Sequence, residues 1–176
     1  IMENKIVQFK YKNQMLVFEI SSEKDEVQKH IFNGNFYEQK FLEDLALYVP
    51  ARSFVLDIGA NIGNHSVFFT KILKANVMPF EPNPIARNLL INNIRLNKVD
   101  NQIIFDLINY AVGEKKSKLM KIDSENTLHN LGATRFTKNV TKKSDALFDC
   151  ISLNDVKLDE RPSLIKIDDE GMELDI

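Results

Sequence analysis

The chain has 176 residues, 44% hydrophobic and 27% charged, with a net charge of −2. That is the size and composition of an ordinary globular domain, with no run near the ~20 apolar residues of a bilayer span and no basic excess to advertise nucleic acid. The lone Cys150 excludes an internal disulfide, and His30, His65 and His129 lie far apart without cysteine or carboxylate at ligand spacing, so no metal site is expected. With no signal-peptide pattern at the amino terminus, a reducing, cytoplasmic setting is expected.

Two β-rich runs, Lys5 to Tyr11 and Met15 to Ile20, flank Lys12-Asn13-Gln14 and predict a hairpin. Ser21 and Ser22 lead into a charged segment, and Gly34 between two asparagines marks a turn. Residues 1–35 form the hairpin and connector, and residues 36–176 the main domain. Phe41, Leu45 and Tyr48 recur at helical spacing, which predicts a helix within 36–48 ended by Pro50. Phe36 and Tyr37 beside it are expected to pack, with contact to a ligand as the alternative.

The stretch from Phe54 to Phe69 organises the rest. Phe54, Val55, Leu56 and Ile58 form the continuous apolar run of a strand buried on both faces, the mark of a central parallel strand. Asp57 sits at its carboxyl end, where open sheets place ligands. Gly59 and Gly63 are where the backbone must turn sharply or approach a ligand closely. A helix follows from Asn64 to Lys74, with Phe68, Phe69, Ile72 and Leu73 on its apolar arc and Thr70, Lys71 and Lys74 opposite. His65 at its start is expected to be packed, or else to border the ligand.

A second strand, Val77 to Glu81, a Pro82-Asn83-Pro84 turn and a helix to about Asn97 make a second βα unit, with Ile85, Ala86, Leu89, Leu90 and Leu96 on the inner arc. Two such units in series imply a parallel sheet with right-handed crossovers. Pro79 cannot donate to a ladder, so a local irregularity is expected there. Glu81 ends the strand that neighbours the first, where dinucleotide folds set an acidic group on ribose hydroxyls. Yet the loop reads G-A-N-I-G and lacks the middle glycine of G-x-G-x-x-G that lets a diphosphate approach, which argues against NAD or FAD. A nucleoside cofactor without a diphosphate is favoured, and S-adenosylmethionine is the common one.

A third strand is expected near Ile103 and a fourth at Leu164 to Ile167, which ends in Asp168-Asp169-Glu170-Gly171. Between them, Leu119 to Ile122 and Phe148 to Leu153 suit short strands. The polar stretch 124–144 reads as a solvated loop, with Asn130, Gly132, Thr134 and Arg135 as the residues that would border a substrate otherwise.

DIGANIG, FEPNP, NYAVGE at Asn109 to Glu114 and LIKIDDEG at Leu164 to Gly171, in this order and spacing, resemble the FkbM-type family of S-adenosylmethionine-dependent methyltransferases. The resemblance runs from about Phe36 to the end. It implies an α/β, Rossmann-like class I methyltransferase fold with a mostly parallel sheet, entered here through an N-terminal β-hairpin and helix. It also implies O-methylation of a hydroxyl on a sugar or small natural product. By position, Asp57, Gly59, Asn61 and Gly63, with Ala60, would hold the methionine end and loop, and Glu81 the ribose. Pro82, Asn83 and the Asn109, Tyr110, Ala111 segment would lie near the adenine. Asp169 stands where the family usually has a small apolar residue, and Pro79 where it usually has alanine.

Methyl transfer to a hydroxyl also needs a base, and Asp168, Glu170 and His65 are the candidates. Two other readings stay open, an RNA methyltransferase and a cofactor-binding module without catalysis. A class I sheet runs in the order 3-2-1-4-5-7-6, so strands near Phe54, Val77, Ile103 and Leu164 supply only 3-2-1-4. The fourth is expected to be covered by further residues beyond Ile176 or by a neighbouring copy.

Overall fold

The computed structural model describes residues 4–122, 131, 135–137 and 147–168. The hairpin forms as the alternation predicts: β1 (Lys5–Tyr11) pairs antiparallel with β2 (Gln14–Ile20), and Lys12 turns between them at φ 51°. Phe9, Tyr11, Leu16, Phe18 and Ile20 point inward. They meet Phe36, whose ring stands edge-on to Phe9, Tyr11, Phe18 and Phe68 at centroid distances of 5.7, 5.5, 6.1 and 5.3 Å. Aromatic pairs of this kind contribute roughly 0.5–1.5 kcal/mol each beyond the area they bury.

The charged segment after Ser22 is a helix, α1 (Glu26–Phe32), which its two inward apolar residues, Val27 and Ile31, did not announce. Its cap Asp25 is fully buried, accepting from the Gln28 amide at 3.0 Å and from the Leu131 amide at 2.7 Å. The next helix, α2 (Gln39–Leu45), is shorter than expected. Because it stops at Leu45, Tyr48 leaves the helical face and is 82% exposed, Phe41 is 55% exposed, and Leu42 is the residue that reaches the core.

The centre is β3 (Phe54–Ile58), α3 (Asn64–Lys71), β4 (Asn76–Phe80) and α4 (Pro84–Leu96). β3 pairs in parallel with β4 on one side, Phe54 opposite Asn76 through Ile58 opposite Phe80, and with β9 (Leu164–Ile167) on the other. Every residue of α3 from Asn64 to Thr70 is buried, Thr70 included, since its hydroxyl donates to the Ser66 carbonyl at 2.8 Å and needs no water. On α4 the inner face is Ala86, Leu89, Leu90, Asn93 and Ile94, while Ile85 and Leu96 are exposed. Asn93 of that face and Asn97, the residue that caps the end of α4, bind the free edge of β2. Asn97 accepts from the Val17 amide and donates to its carbonyl at 3.1 and 2.7 Å, and Asn93 does the same for Glu19 at 2.6 and 3.2 Å.

The third strand shrinks to one parallel bridge, Val77 with Ile103, because the chain turns away over residues 106–109. The spatial order is then Ile103, β4, β3, β9. No irregularity occurs at Pro79, which pairs in register with Asp57. Backbone groups alternate along a strand. The Val77 carbonyl and the Glu81 amide bond to Ile104 and Ile108 on the outer side, so Pro79 between them turns its missing donor to the side where the third segment has already left.

A second sheet combines β5 (Ala111–Val112), β6 (Ser117–Ile122), β7 (Arg135–Thr137) and β8 (Leu147–Ile151) in the order β5-β8-β6-β7. β5 and β8 are parallel and the other pairs antiparallel. Val112 and Ile151 pack with Phe54, Leu56, Ile58, Met78 and Phe80, so this sheet covers the face of the parallel sheet opposite α3 and α4.

Candidate functional site

Asp57, in the middle of the parallel sheet, is fully buried. Its Oδ2 accepts from the Ser66 hydroxyl at 2.6 Å, and its Oδ1 lies 3.1 Å from Lys166 Nζ. Lys166 arrives there because the β3–β9 register sets it opposite Asp57. The same ammonium donates to the Gly59 and Ile58 carbonyls at 2.8 and 3.3 Å and stands 3.8 Å from Asp168 Oδ2. Burial alone would raise the Asp57 pKa; the Lys166 and His65 charges and the Ser66 hydroxyl outweigh it and hold the carboxyl below the ordinary range.

The loop after β3 turns through three left-handed residues, Gly59, Asn61 and Gly63, at φ 71°, 51° and 92°. A Cβ on Gly63 would stand 2.7 Å from Leu90 Cδ1, so close packing against α4 requires glycine there. Four of the loop amides are committed internally. Gly59 and Ala60 both donate to the Phe80 carbonyl at 3.0 Å, Gly63 donates to Ala60 at 2.9 Å, and Asn61 donates to Glu81 Oε2 at 2.7 Å. A phosphate cradle needs such amides free. The side-chain Oδ1 of Asn61, by contrast, is buried without a hydrogen-bond partner.

Glu81 follows directly on β4 and is buried, its Oε1 accepting from the Asn83 amide at 2.8 Å. Asn83 caps α4 by accepting from the Ile85 amide at 3.1 Å, and Arg87 clamps the Glu81 and Pro82 carbonyls at 3.0 and 2.8 Å. One carboxylate thus ties the first loop to the start of α4. The Glu81 amide donates to Ile108 at 2.8 Å, which brings the exposed Asn109 to the same edge. Tyr110 packs toward the second sheet, and Ala111 is buried inside it opposite Cys150.

His65 is buried in the first turn of α3, stacked on Phe69, with Nε2 3.3 Å from Glu38 Oε2. Asp168 is 56% exposed at the end of β9, its amide donating to Ile58 at 3.1 Å. Asp169 and Glu170, like Asn130, Gly132 and Thr134, lie outside the described residues. The structure therefore gathers Asp57, Gly59, Asn61, Glu81, Asn83, His65 and Asp168 around the ends of β3, β4 and β9. It adds Lys166 and Glu38, which sequence reasoning missed. Lys166 left one signal, a charge interrupting an apolar strand; Glu38 left none. A cleft of about 510 Å³ lined by Met78, Tyr110, Asp149 and Ile151 lies elsewhere, touching none of the β3 loop residues. Among the described residues no cluster suits a metal ion, and no helix is long and apolar enough to cross a membrane.

The chain is 35% identical over 72 residues to methyltransferase sdnD of Sordaria araneosa, a stretch that is 40% of this chain and 25% of that protein. P. horikoshii TYW2, solved with MeSAdo, is 18% identical at a TM-score of 0.43, covering 62% of this chain and 42% of that one. The M. jannaschii tRNA m1G37 methyltransferase is 18% identical at 0.41, covering 61% and 34%. This chain thus spans half or less of those relatives' own lengths. Residues 57–176, from the buried aspartate of β3 onward, match the family described as the methyltransferase FkbM domain, and the chain belongs to that family.

Proposed function

We propose that the protein binds S-adenosylmethionine at the ends of β3 and β4 and methylates a hydroxyl on a sugar or small natural product. The observation that carries the cofactor is the state of the loop: the Gly59, Ala60, Asn61 and Gly63 amides are spent internally and a carboxylate is fixed beside them, which suits a nucleoside better than a diphosphate. The buried, unpartnered Oδ1 of Asn61 fits a donor on such a group. Glu81, with Pro82 and Asn83, would hold the ribose, Asn109 would border the base, and Gly59 to Gly63 the methionine end. When bound, S-adenosylmethionine supplies a methyl on a sulfonium centre.

The remaining work belongs to the protein. Asp57 and Lys166 fix the end of β3 and the Gly59 carbonyl, which helps to set the shape of the loop. Positioning of this kind can supply much of the acceleration of an in-line displacement. Asp168 and His65 are the described groups able to take the hydroxyl proton.

Calorimetry with S-adenosylhomocysteine, NADH and ADP tests the cofactor. Binding of the first alone is expected, weakened by about 1.5–3 kcal/mol in Glu81→Ala. Measurable NADH binding, or unchanged affinity in the variant, refutes the assignment. Transfer of a labelled methyl group to methyl glycosides and phenols rather than to bulk tRNA supports the acceptor class, and the reverse result replaces it.

A further inference from the structure

We propose that Glu38 is a positioning residue that orients His65 as the base taking the acceptor's proton, an inference that rests on the methyltransferase reading above. Glu38 adopts φ 55° and ψ 32°, a left-handed conformation that costs a non-glycine residue roughly 1–2 kcal/mol. Its own packing does not impose that strain, since the side chain is 43% exposed along an open groove of about 470 Å³ shared with Phe41 and Glu43. Left-handed backbone also occurs at Lys12, Arg52, Asn61, Lys74 and Lys98, so what sets Glu38 apart is the buried imidazole beside its carboxylate.

The neighbours hold it from both sides. Phe36 is locked in the aromatic core. Tyr37 is gripped by Asn64, whose Oδ1 accepts from the Tyr37 amide at 2.9 Å while its Nδ2 donates to the Tyr37 carbonyl at 3.1 Å. Asn64 immediately precedes His65, so the clamp fixes Glu38 relative to the imidazole. With solvent available, the carboxylate still lies 3.3 Å from the buried Nε2, which has no aligned hydrogen-bond partner in this geometry. The hydrogen-bonding capacity of His65 and its charge, with the Lys166 charge, outweigh partial burial and hold the Glu38 carboxyl below the ordinary range, so it is an acceptor only.

An acceptor 3.3 Å from Nε2 favours the neutral tautomer that carries its proton there and keeps the lone pair on Nδ1. With cofactor and acceptor bound, the acceptor hydroxyl would pass its proton to Nδ1 as its oxygen gains the methyl group and the carbon–sulfur electron pair leaves with sulfur, and Glu38 would balance the imidazolium across the ring. Asp57 is engaged elsewhere, by Lys166 at 3.1 Å and by the Ser66 hydroxyl at 2.6 Å.

The test compares wild type with Glu38→Gln and Glu38→Gly; glycine removes the carboxylate while relieving the backbone, so folding is retained. Two-bond proton–nitrogen spectra of the 15N-labelled protein read the His65 tautomer without any substrate. The expected result is a single Nε2–H form in wild type and a mixture in both variants, with S-adenosylhomocysteine affinity within about twofold. Methyl transfer to methyl glycosides and phenols should fall about 10–100-fold, in turnover and not in KM for the cofactor. A wild-type Nδ1–H tautomer, a tautomer indifferent to both variants, or unchanged turnover overturns the proposal. Wild-type failure to methylate any of these probes counts against the acceptor reading instead, and Glu38 is then judged on the tautomer alone.

Discussion

Gly63→Ala isolates the contact that seats the β3 loop against α4. The new methyl carbon would stand 2.7 Å from Leu90 Cδ1, where carbons rest at about 3.5–4.0 Å. Leu90 is fully buried, so its side chain can give way only by repacking against its neighbours. Two separable costs follow: about 1–2 kcal/mol for placing a Cβ in left-handed backbone, and about 1–3 kcal/mol for overpacking. The single variant should lose roughly 2–5 kcal/mol by urea unfolding at unchanged m-value. Leu90→Ala alone should lose about 2–5 kcal/mol through its cavity. Combined, the two should cost about 1–3 kcal/mol less than their sum, because the methyl moves into the space vacated while the backbone strain stays. A loss below ~0.5 kcal/mol in Gly63→Ala, or strict additivity in the double variant, would refute the reasoning.

Lys166→Met strands a fully buried carboxylate and should cost about 3–5 kcal/mol. Asp57 has a depressed folded pKa, so its stabilisation is present above the unfolded value of 3.8 and lost as pH falls through the folded one. Without Lys166 the acid unfolding midpoint should therefore move to higher pH, and an unmoved midpoint in circular dichroism titrations would sink the pairing argument. Tyr11 behaves in the opposite sense. Burial and its bond to Glu43 push its pKa from 10.0 up to about 12, so its contribution is full below pH 10 and lost as pH rises toward 12. Relative to Tyr11→Phe, the wild type should lose on the order of 1 kcal/mol across that window, because the part-buried hydroxyl is screened by solvent, and parallel alkaline unfolding curves would contradict it.

The sequence carried the parts whose partners lie close along the chain. β3, its loop and α3 are contiguous, and Asp57 and Glu81 were readable because a strand end announces an edge. Hairpin alternation was equally local. The failures share a cause. Phe41 and Tyr48 made a plausible stripe, but only the point where α2 stops decides whether Tyr48 stays on it. Pro79 looked disruptive because its harmlessness depends on where a distant segment departs. Lys166 acquires its meaning from Asp57, and Glu38 from His65, through register and a clamp that no spacing encodes. Leu119 to Ile122 and Phe148 to Leu153 were legible as short strands and correspond to β6 and β8, but β5 is short and far from β8 in sequence, so their pairing into a second sheet had no local signature.

The asparagine pair on α4 also bears on how copies of the chain behave toward one another. A rise of 1.5 Å per residue sets side chains four apart about 6 Å along a helix, close to the ~6.8 Å between alternate residues of a strand. Asn93 and Asn97 can therefore present carboxamides to Glu19 and Val17 much as a neighbouring strand would present peptide groups. The helix serves as a counterfeit strand that terminates the hairpin with groups unable to propagate pairing. An open edge recruits edges of its own kind and starts aggregation. Here recruitment must first displace side-chain amides already bonded, so loss of either asparagine would expose β2 to self-association at high concentration before it unfolds the domain.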